Sequence, residues 1–329
     1  MCRLSLRRDK HGTRCALRKP SVSRHGKDLM SISPEKAGKN KRQKNVAQAS
    51  DVPKCGNWPL SVCSWSLRTD PAGIANALQQ LGIGCVNLAL KPAFLDDGEK
   101  YLDAVRKQSW TFSAMTIGFF HEDYSSLESI KATGGIVPDE HWDRNREMVI
   151  RAIGITAEIG VPFLTMHAGF IEDDDSARVQ RFRDRLVCLA DVAGEHDISL
   201  LMETGQETAK CLSSMLGEIN HPSLGVNFDP ANMILYGKGN PVEAVRILGR
   251  WIRHIHIKDA VAAKVPGTWG KEVPWSTGQV DGTSFLAALK EAGYNGALAI
   301  EREAGDDRLG DIRLAAEWLK SWKGKAGGV

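Results

Sequence analysis

Four ionisable residues close or follow short apolar runs in this 329-residue chain. Glu203 follows "SLLM", Asp229 follows "GVNF", His256 lies within "RHIHIKDA" and Glu301 follows "ALAI". A carboxylate at the end of a buried strand is costly unless a cation meets it. Three gathered at one point would also repel each other and raise one another's pKa values. Two kinds of cation would answer: side chains such as Lys258, Arg302 or a core arginine, or a bound divalent metal. The alignment of all four residues on consecutive elements favours the metal. Three hard oxygens with one imidazole suit Mn²⁺, Mg²⁺ or Co²⁺, and also admit Zn²⁺. His167, after "FLTM", stands beside the set as a proton shuttle or substrate ligand.

Such residues do chemistry only if the chain brings them together. From Pro59 onward, strand-like and helix-like patterns alternate. Strands are expected at "LSVCSW" (60–65), "CVNLAL" (85–90), "TFSAMTIGF" (111–119) and "PFLTMHAG" (162–169). Four more are expected at "ISLLMETG" (198–205), "LGVNFDPA" (224–231), "IRHIHIKDA" (252–260) and "GALAIERE" (296–303). Each is followed by a helical pattern. Eight strand–helix units in about 270 residues match an α/β chain folded as a (β/α)8 TIM barrel. A doubly wound sheet is the rival, but no G-x-G-x-x-G follows the first strand. The expected barrel is a single domain over residues 56–325.

Side chains alternate faces along a strand. In the last five strands one set is apolar: Leu164 and Met166, Leu200 and Met202, Val226 and Phe228, Ile255 and Ile257, Leu298 and Ile300. The other set carries Thr165, His167, Glu203, Asn227, Asp229, His254, His256, Lys258 and Glu301. This second set is expected to face the barrel interior, its last members at the C-terminal ends where active sites of such barrels are built. His254 lies one layer deeper than His256 and reads as a core histidine.

The net charge of +3 averages two unlike segments. Residues 1–50 hold 14 Lys/Arg against 3 Asp/Glu, which leaves 29 against 37 for the remainder. The first 55 residues lack hydrophobic periodicity and read as a disordered basic tail. "KNKRQK" within it is a nucleic-acid signal, but the acidic body opposes a polyanion, so nucleic acid is not an expected partner. Seven scattered cysteines without a C-x-x-C pair fit a reducing cytoplasm. No apolar run approaches the roughly 20 residues that span a bilayer, so no membrane association is expected.

With "HAG" (167–169), "METGQ" (202–206), "NFDPANM" (227–233), "IRHIHIKD" (252–259), "STGQVD" (276–281) and "LAIERE" (298–303) in place, the chain resembles the xylose isomerase-like TIM barrel superfamily. That group includes sugar-phosphate isomerases, ketose 3-epimerases, inosose dehydratase and endonuclease IV. The resemblance implies one divalent metal held by Glu203, Asp229, His256 and Glu301, and a homodimer is common among such barrels. It further implies a sugar isomerase or epimerase in which Glu203 removes the proton beside a carbonyl and Glu301 returns one on the opposite face, through a metal-stabilised enediolate.

Trp269 and Trp275, in a glycine-bounded loop after the seventh strand, read as a lid for the apolar face of a sugar. Lys258 and Asp259 read as hydroxyl-orienting groups or as a plain salt bridge. Gln206, Asn232 and Arg302 complete the candidate substrate contacts. Asn232 stands where many relatives have a histidine, and the D-x-H of endonuclease IV is missing after the seventh strand. An endonuclease is therefore disfavoured. A lyase or dehydratase acting on an inosose or a 3-keto-glycoside is the chief alternative. The loop "EAGDDRLGD" is acidic where many barrels grip phosphate, so a neutral sugar or cyclitol is the expected substrate.

Overall fold

The computed structural model describes residues 52–170 and 177–323. The expected basic tail lies outside the described residues up to position 51. Just beyond it, Lys54–Cys55 pairs antiparallel with Trp58–Pro59.

Eight parallel strands close into a barrel: β1 Trp58–Cys63, β2 Cys85–Ala89, β3 Thr111–Ile117, β4 Phe163–Met166, β5 Ser199–Glu203, β6 Leu224–Phe228, β7 Ile252–Ile257 and β8 Leu298–Ile300. Each pairs with its sequence neighbours, and β8 pairs with both β7 and β1, so no edge is left open. The helices are α1 Pro71–Leu81, α2 Gly98–Arg106, α3 Leu127–Thr133, α4 Trp142–Ile159, α5 Ala177–Glu195, α6 Ala209–Ile219, α7 Pro230–Leu235, α8 Pro241–Leu248, α9 Gly282–Glu291 and α10 Arg308–Ser321.

Local chemistry sets these boundaries. Asp70 caps α1 by accepting from the Gly73 amide, Pro71 occupies the first turn, and Gly82 ends the helix with φ of 64°. The alternation along the strands decides what faces what. Leu164, Met166, Leu200, Met202, Val226, Phe228, Ile255, Ile257, Leu298 and Ile300 all join one apolar cluster with the helices. The opposite set fills the interior as a hydrogen-bonded polar lattice. Thr165 meets Thr116 at 2.7 Å, and Ser61 meets Ser113 at 2.9 Å.

Several elements differ from the expected ones. Residues 230–235 form a helix directly after β6, because Asp229 caps it through the Asn232 amide and Pro230 opens its first turn. The loop after β7 folds into a hairpin, Asp259–Val261 against Lys271–Val273. Strand β8 is shorter than its apolar run, although the Glu301 amide still donates to Ile257 O at 3.0 Å.

The registers of β2–β3 and β6–β7 each slip by one residue, at Asn87 and at Asn227. Slips of this kind re-aim side chains, and they occur at the two asparagines that touch His256.

The loop after β3 is tied to the end of β4 where Ile136 N donates to Ala168 O at 2.9 Å. Gly135, with φ of 66°, lies so close to that carbonyl that a Cβ would stand 2.1 Å from it. Gly135→Ala should destabilise the protein by about 2–4 kcal/mol, from a positive φ combined with a backbone clash, read as a lower midpoint in urea or heat.

Candidate functional site

The C-terminal rim brings together Glu203 from the end of β5, Asp229 from the turn after β6, His256 from β7 and Glu301 from the turn after β8. One ligand atom from each lies within 4.8 Å of all the others. All four are buried, Asp229 and His256 fully and the two glutamates to 5% exposure. His256 Nδ1 stands 3.0 Å from Glu301 Oε2, 3.3 Å from Glu203 Oε1 and 3.9 Å from Asp229 Oδ2. Ligands at about 2.1 Å from a small divalent ion stand roughly 3–4 Å apart, so these spacings suit one.

The imidazole is oriented for that task. Its Nε2 lies 2.9 Å from Asn87 Oδ1, and the Asn87 amide nitrogen donates to Ala114 O and Thr116 Oγ1. With its NH₂ group so engaged, Asn87 presents only an acceptor. Asn87 therefore accepts from Nε2–H, which leaves Nδ1 as the ring nitrogen that faces the carboxylates and that would ligate an ion there.

The carboxylates are braced as well. Asn232 Nδ2 donates to Glu203 Oε1 at 3.1 Å, and Asn227 Nδ2 donates to Glu203 Oε2 at 3.2 Å. Trp65 Nε1 donates to Glu301 Oε1 at 2.7 Å, which leaves Oε2 facing His256. Asp229 uses Oδ1 to cap α7, and its buried Oδ2 accepts no hydrogen bond among the described residues. A carboxylate oxygen that accepts no hydrogen bond, beside two other carboxylates and an imidazole nitrogen, is the donor chemistry of a cation site.

Electrostatics follow from this crowding. Burial pushes the Glu203 carboxyl up, but His167 and His256 together pull it below the usual range. Burial likewise opposes charge on Glu301, yet Lys258 and His256 hold it well below that range. Asp229 is pushed up by burial, against the pull of Lys258. His254, buried next to His256, is driven well below the ordinary histidine value. It stays neutral as a core group between Asn227 Oδ1 at 2.8 Å and Ser113 Oγ at 3.0 Å.

The remaining candidates divide into two groups. His167 Nε2 lies 3.6 Å from Glu203 Oε1, and its Nδ1 has no hydrogen-bond partner among the described residues. Lys258 Nζ lies 3.3 Å from Asp229 Oδ2 and 3.2 Å from Glu301 Oε2. Trp269 packs edge-on against Tyr236, with ring centroids 4.9 Å apart, and Tyr236 in turn meets Phe170. Gln206 is buried beside them, its Oε1 accepting from Gly169 N while its Nε2 has no partner among the described residues.

The other three are employed elsewhere. Trp275 is buried edge-on against Trp318 of α10. Asp259 accepts from the amides of Ala260, Gly278 and Val280, stapling its own loop. Arg302 is held by Glu272 at 2.6 Å and Asp311 at 2.8 Å.

Trp65 and Asn87 were not singled out from the sequence, because the face assignment stopped short of the first three strands. Asn87 is the one polar residue inside "CVNLAL", and Trp65 shares a face with Ser61 and Cys63.

Asn87→Leu should weaken metal uptake by about 10–100-fold with little change in fold, since it frees the His256 ring to turn. Titration calorimetry with Mn²⁺ measures this. A second expectation concerns Glu207, a buried carboxyl that burial pushes up to about 8, opposed by Lys238. The folded chain keeps this proton while the unfolded chain loses it near the ordinary glutamate value. Stability contributed at low pH is therefore lost as pH rises toward 8, with a ceiling on the order of 3–5 kcal/mol. Glu207→Gln should flatten that decline and raise the melting temperature at pH 8 relative to the parent, as thermal melts across pH would record.

Comparison with known proteins fits this architecture. Residues 75–322 match the family described as Xylose isomerase-like TIM barrel. L-ribulose-5-phosphate 3-epimerase of Escherichia coli is 27% identical over 192 residues, which is 56% of this chain but 65% of that relative's length. A xylose isomerase domain protein from Planctomyces limnophilus is 31% identical in sequence, with a TM-score of 0.74 over 81% of this chain and 97% of that one. A xylose isomerase-like TIM barrel protein from Mycobacterium smegmatis, solved in complex with magnesium, is similar in fold at 18% identity, with a TM-score of 0.63 over 82% of this chain and 97% of that one. The chain belongs to the xylose isomerase-like TIM barrel family.

Proposed function

We propose that this protein is a divalent-metal-dependent sugar isomerase or epimerase acting on a neutral ketose or related polyol. The observation that carries the reading is the buried Glu203–Asp229–His256–Glu301 cluster, with His256 Nδ1 turned toward three carboxylate oxygens. When bound there, the ion supplies Lewis acidity to a carbonyl and its neighbouring hydroxyl. The family relatives named as epimerases support the reaction class.

In this proposal Glu203 takes the proton from the carbon next to the carbonyl, and Glu301 returns one on the other face. The amides of Asn227 and Asn232 fix the Glu203 carboxylate, and the Trp65 indole fixes one oxygen of Glu301. His167, close to Glu203 and with an Nδ1 that has no hydrogen-bond partner among the described residues, suits a proton shuttle between that carboxylate and the substrate or solvent. Tyr236 and Trp269 offer aromatic faces for the apolar side of a sugar ring. Gln206, Asn232 and Lys258 are the proposed polar contacts.

A neutral substrate is favoured over a phosphate ester by the charges around β8. Arg302 is fully engaged by two acids, and Asp306, Asp307 and Asp311 crowd the following segment.

The test is a metal analysis of the purified protein, followed by a panel of ketoses, inososes and 3-keto-sugars in D₂O. Deuterium should enter the carbon beside the carbonyl with mass otherwise conserved, and a free ketose should outperform L-ribulose 5-phosphate. Glu203→Gln and Glu301→Gln should each slow exchange by about 10²–10⁴-fold. Loss of a β-substituent would assign a lyase instead, and absence of exchange with every carbonyl compound would overturn the proposal.

A further inference from the structure

Two of the oxygens that face His256 Nδ1 also face an ammonium. Lys258 Nζ is 3.3 Å from Asp229 Oδ2 and 3.2 Å from Glu301 Oε2. Its third carboxylate neighbour is Glu303 Oε2, at 3.1 Å. Asp229 Oδ2 accepts no hydrogen bond among the described residues, so its attraction to Lys258 is Coulombic rather than directional. Glu203 lies on the opposite side of the cluster, with Asn232 and His167 at its Oε1. The ammonium therefore bears on one half of the ligand set.

A cation that is drawn to the same two oxygens as a metal ion is its rival, and the two cations repel each other as well. Lys258 is buried, and its backbone directly follows β7, so it has little freedom to withdraw into solvent. Among the described residues, Glu303 is the one acid in ion-pair contact with its ammonium that is not a candidate ligand.

Glu303 is itself placed by groups that stand off the cluster. Its amide donates to Glu272 Oε1 at 2.9 Å, Arg302 holds that same oxygen at 2.6 Å, and Asp311 holds Arg302. This chain of ion pairs gives Arg302 a task that its sequence context did not suggest.

We propose that Glu303 is a positioning residue that draws the Lys258 ammonium away from the ligand oxygens of Asp229 and Glu301, so that metal and lysine share one centre. The inference rests on the metal-centre reading above. It adds that affinity for the ion is set by a carboxylate that does not ligate it.

Mn²⁺ titration of the full-length, chelator-treated protein tests this with five proteins: the parent, Lys258→Met, Glu303→Gln, the double variant and Glu303→Asp. Lys258→Met should bind Mn²⁺ about tenfold more tightly, because a rival charge is gone. Glu303→Gln should bind it about tenfold more weakly, because Lys258 then rests wholly on Asp229 and Glu301. In the Lys258→Met background the Glu303→Gln change should shift affinity by less than about twofold, a non-additivity that marks direct coupling. Glu303→Asp should recover part of the loss. Lys258→Gln replaces Lys258→Met if the latter does not fold.

Equal weakening by Glu303→Gln in both backgrounds would reduce Glu303 to a distant charge and overturn the inference, as would weaker binding by Lys258→Met. If the parent takes up no Mn²⁺ or other divalent ion, the centre itself has been misread and this inference falls with it.

Discussion

The interaction on which the site depends is mutual repulsion among three buried carboxylates that the barrel forces to share one rim. Water cannot relieve it, because Glu203, Asp229 and Glu301 are almost wholly enclosed. Positive charge has to be supplied locally. His256 and Lys258 are the protein's own contributions, and a divalent ion is the remaining one. Most of what surrounds the cluster is explained by the need to hold these groups at short range without collapse.

That need is met by layers of hydrogen bonds rather than by packing alone. Asn87 orients the His256 ring from below, Asn227 links His254 to Glu203, and Trp65 ties one oxygen of Glu301. Buried polar lattices of this sort are stable only when nearly every member is satisfied. At the rim, Asp229 Oδ2, His167 Nδ1 and Gln206 Nε2 are among the buried atoms that accept or donate no hydrogen bond within the described residues. The two proposed acid–base glutamates also differ in setting. Glu203 rests on amides and lies near a histidine, while Glu301 rests on an indole and a lysine. The same scaffold thus distinguishes the two sides of the cluster before any substrate arrives.

Some residues chosen for their chemistry serve architecture instead. Trp275 looks like a sugar platform in a loop with Trp269, yet it is drawn into the core by Trp318 and by the space left at Gly282. Asp259 follows Lys258 immediately but faces its own loop, where three amides need an acceptor. Arg302 adjoins Glu301 and points the other way, toward Glu272 and Asp311. Neighbours on a strand or at its end take opposite directions, so adjacency in sequence to a ligand residue is a poor guide to membership of the site.

By itself the sequence determined the barrel, the inward set on its last five strands and the four residues that meet at the rim. Those follow from periodicity, and a period of two survives whatever the rest of the chain does. Only tertiary structure decided how that cluster is wired. The slips of register at Asn87 and Asn227, the cap that turns 230–235 into a helix and the ion pairs that carry Arg302 away all depend on contacts between distant segments. The bond from Trp65 to Glu301 spans 236 positions, and that from His256 to Asn87 spans 169. No local pattern encodes such pairs, because what selects them is the closure of the barrel bringing its first strands back against its last.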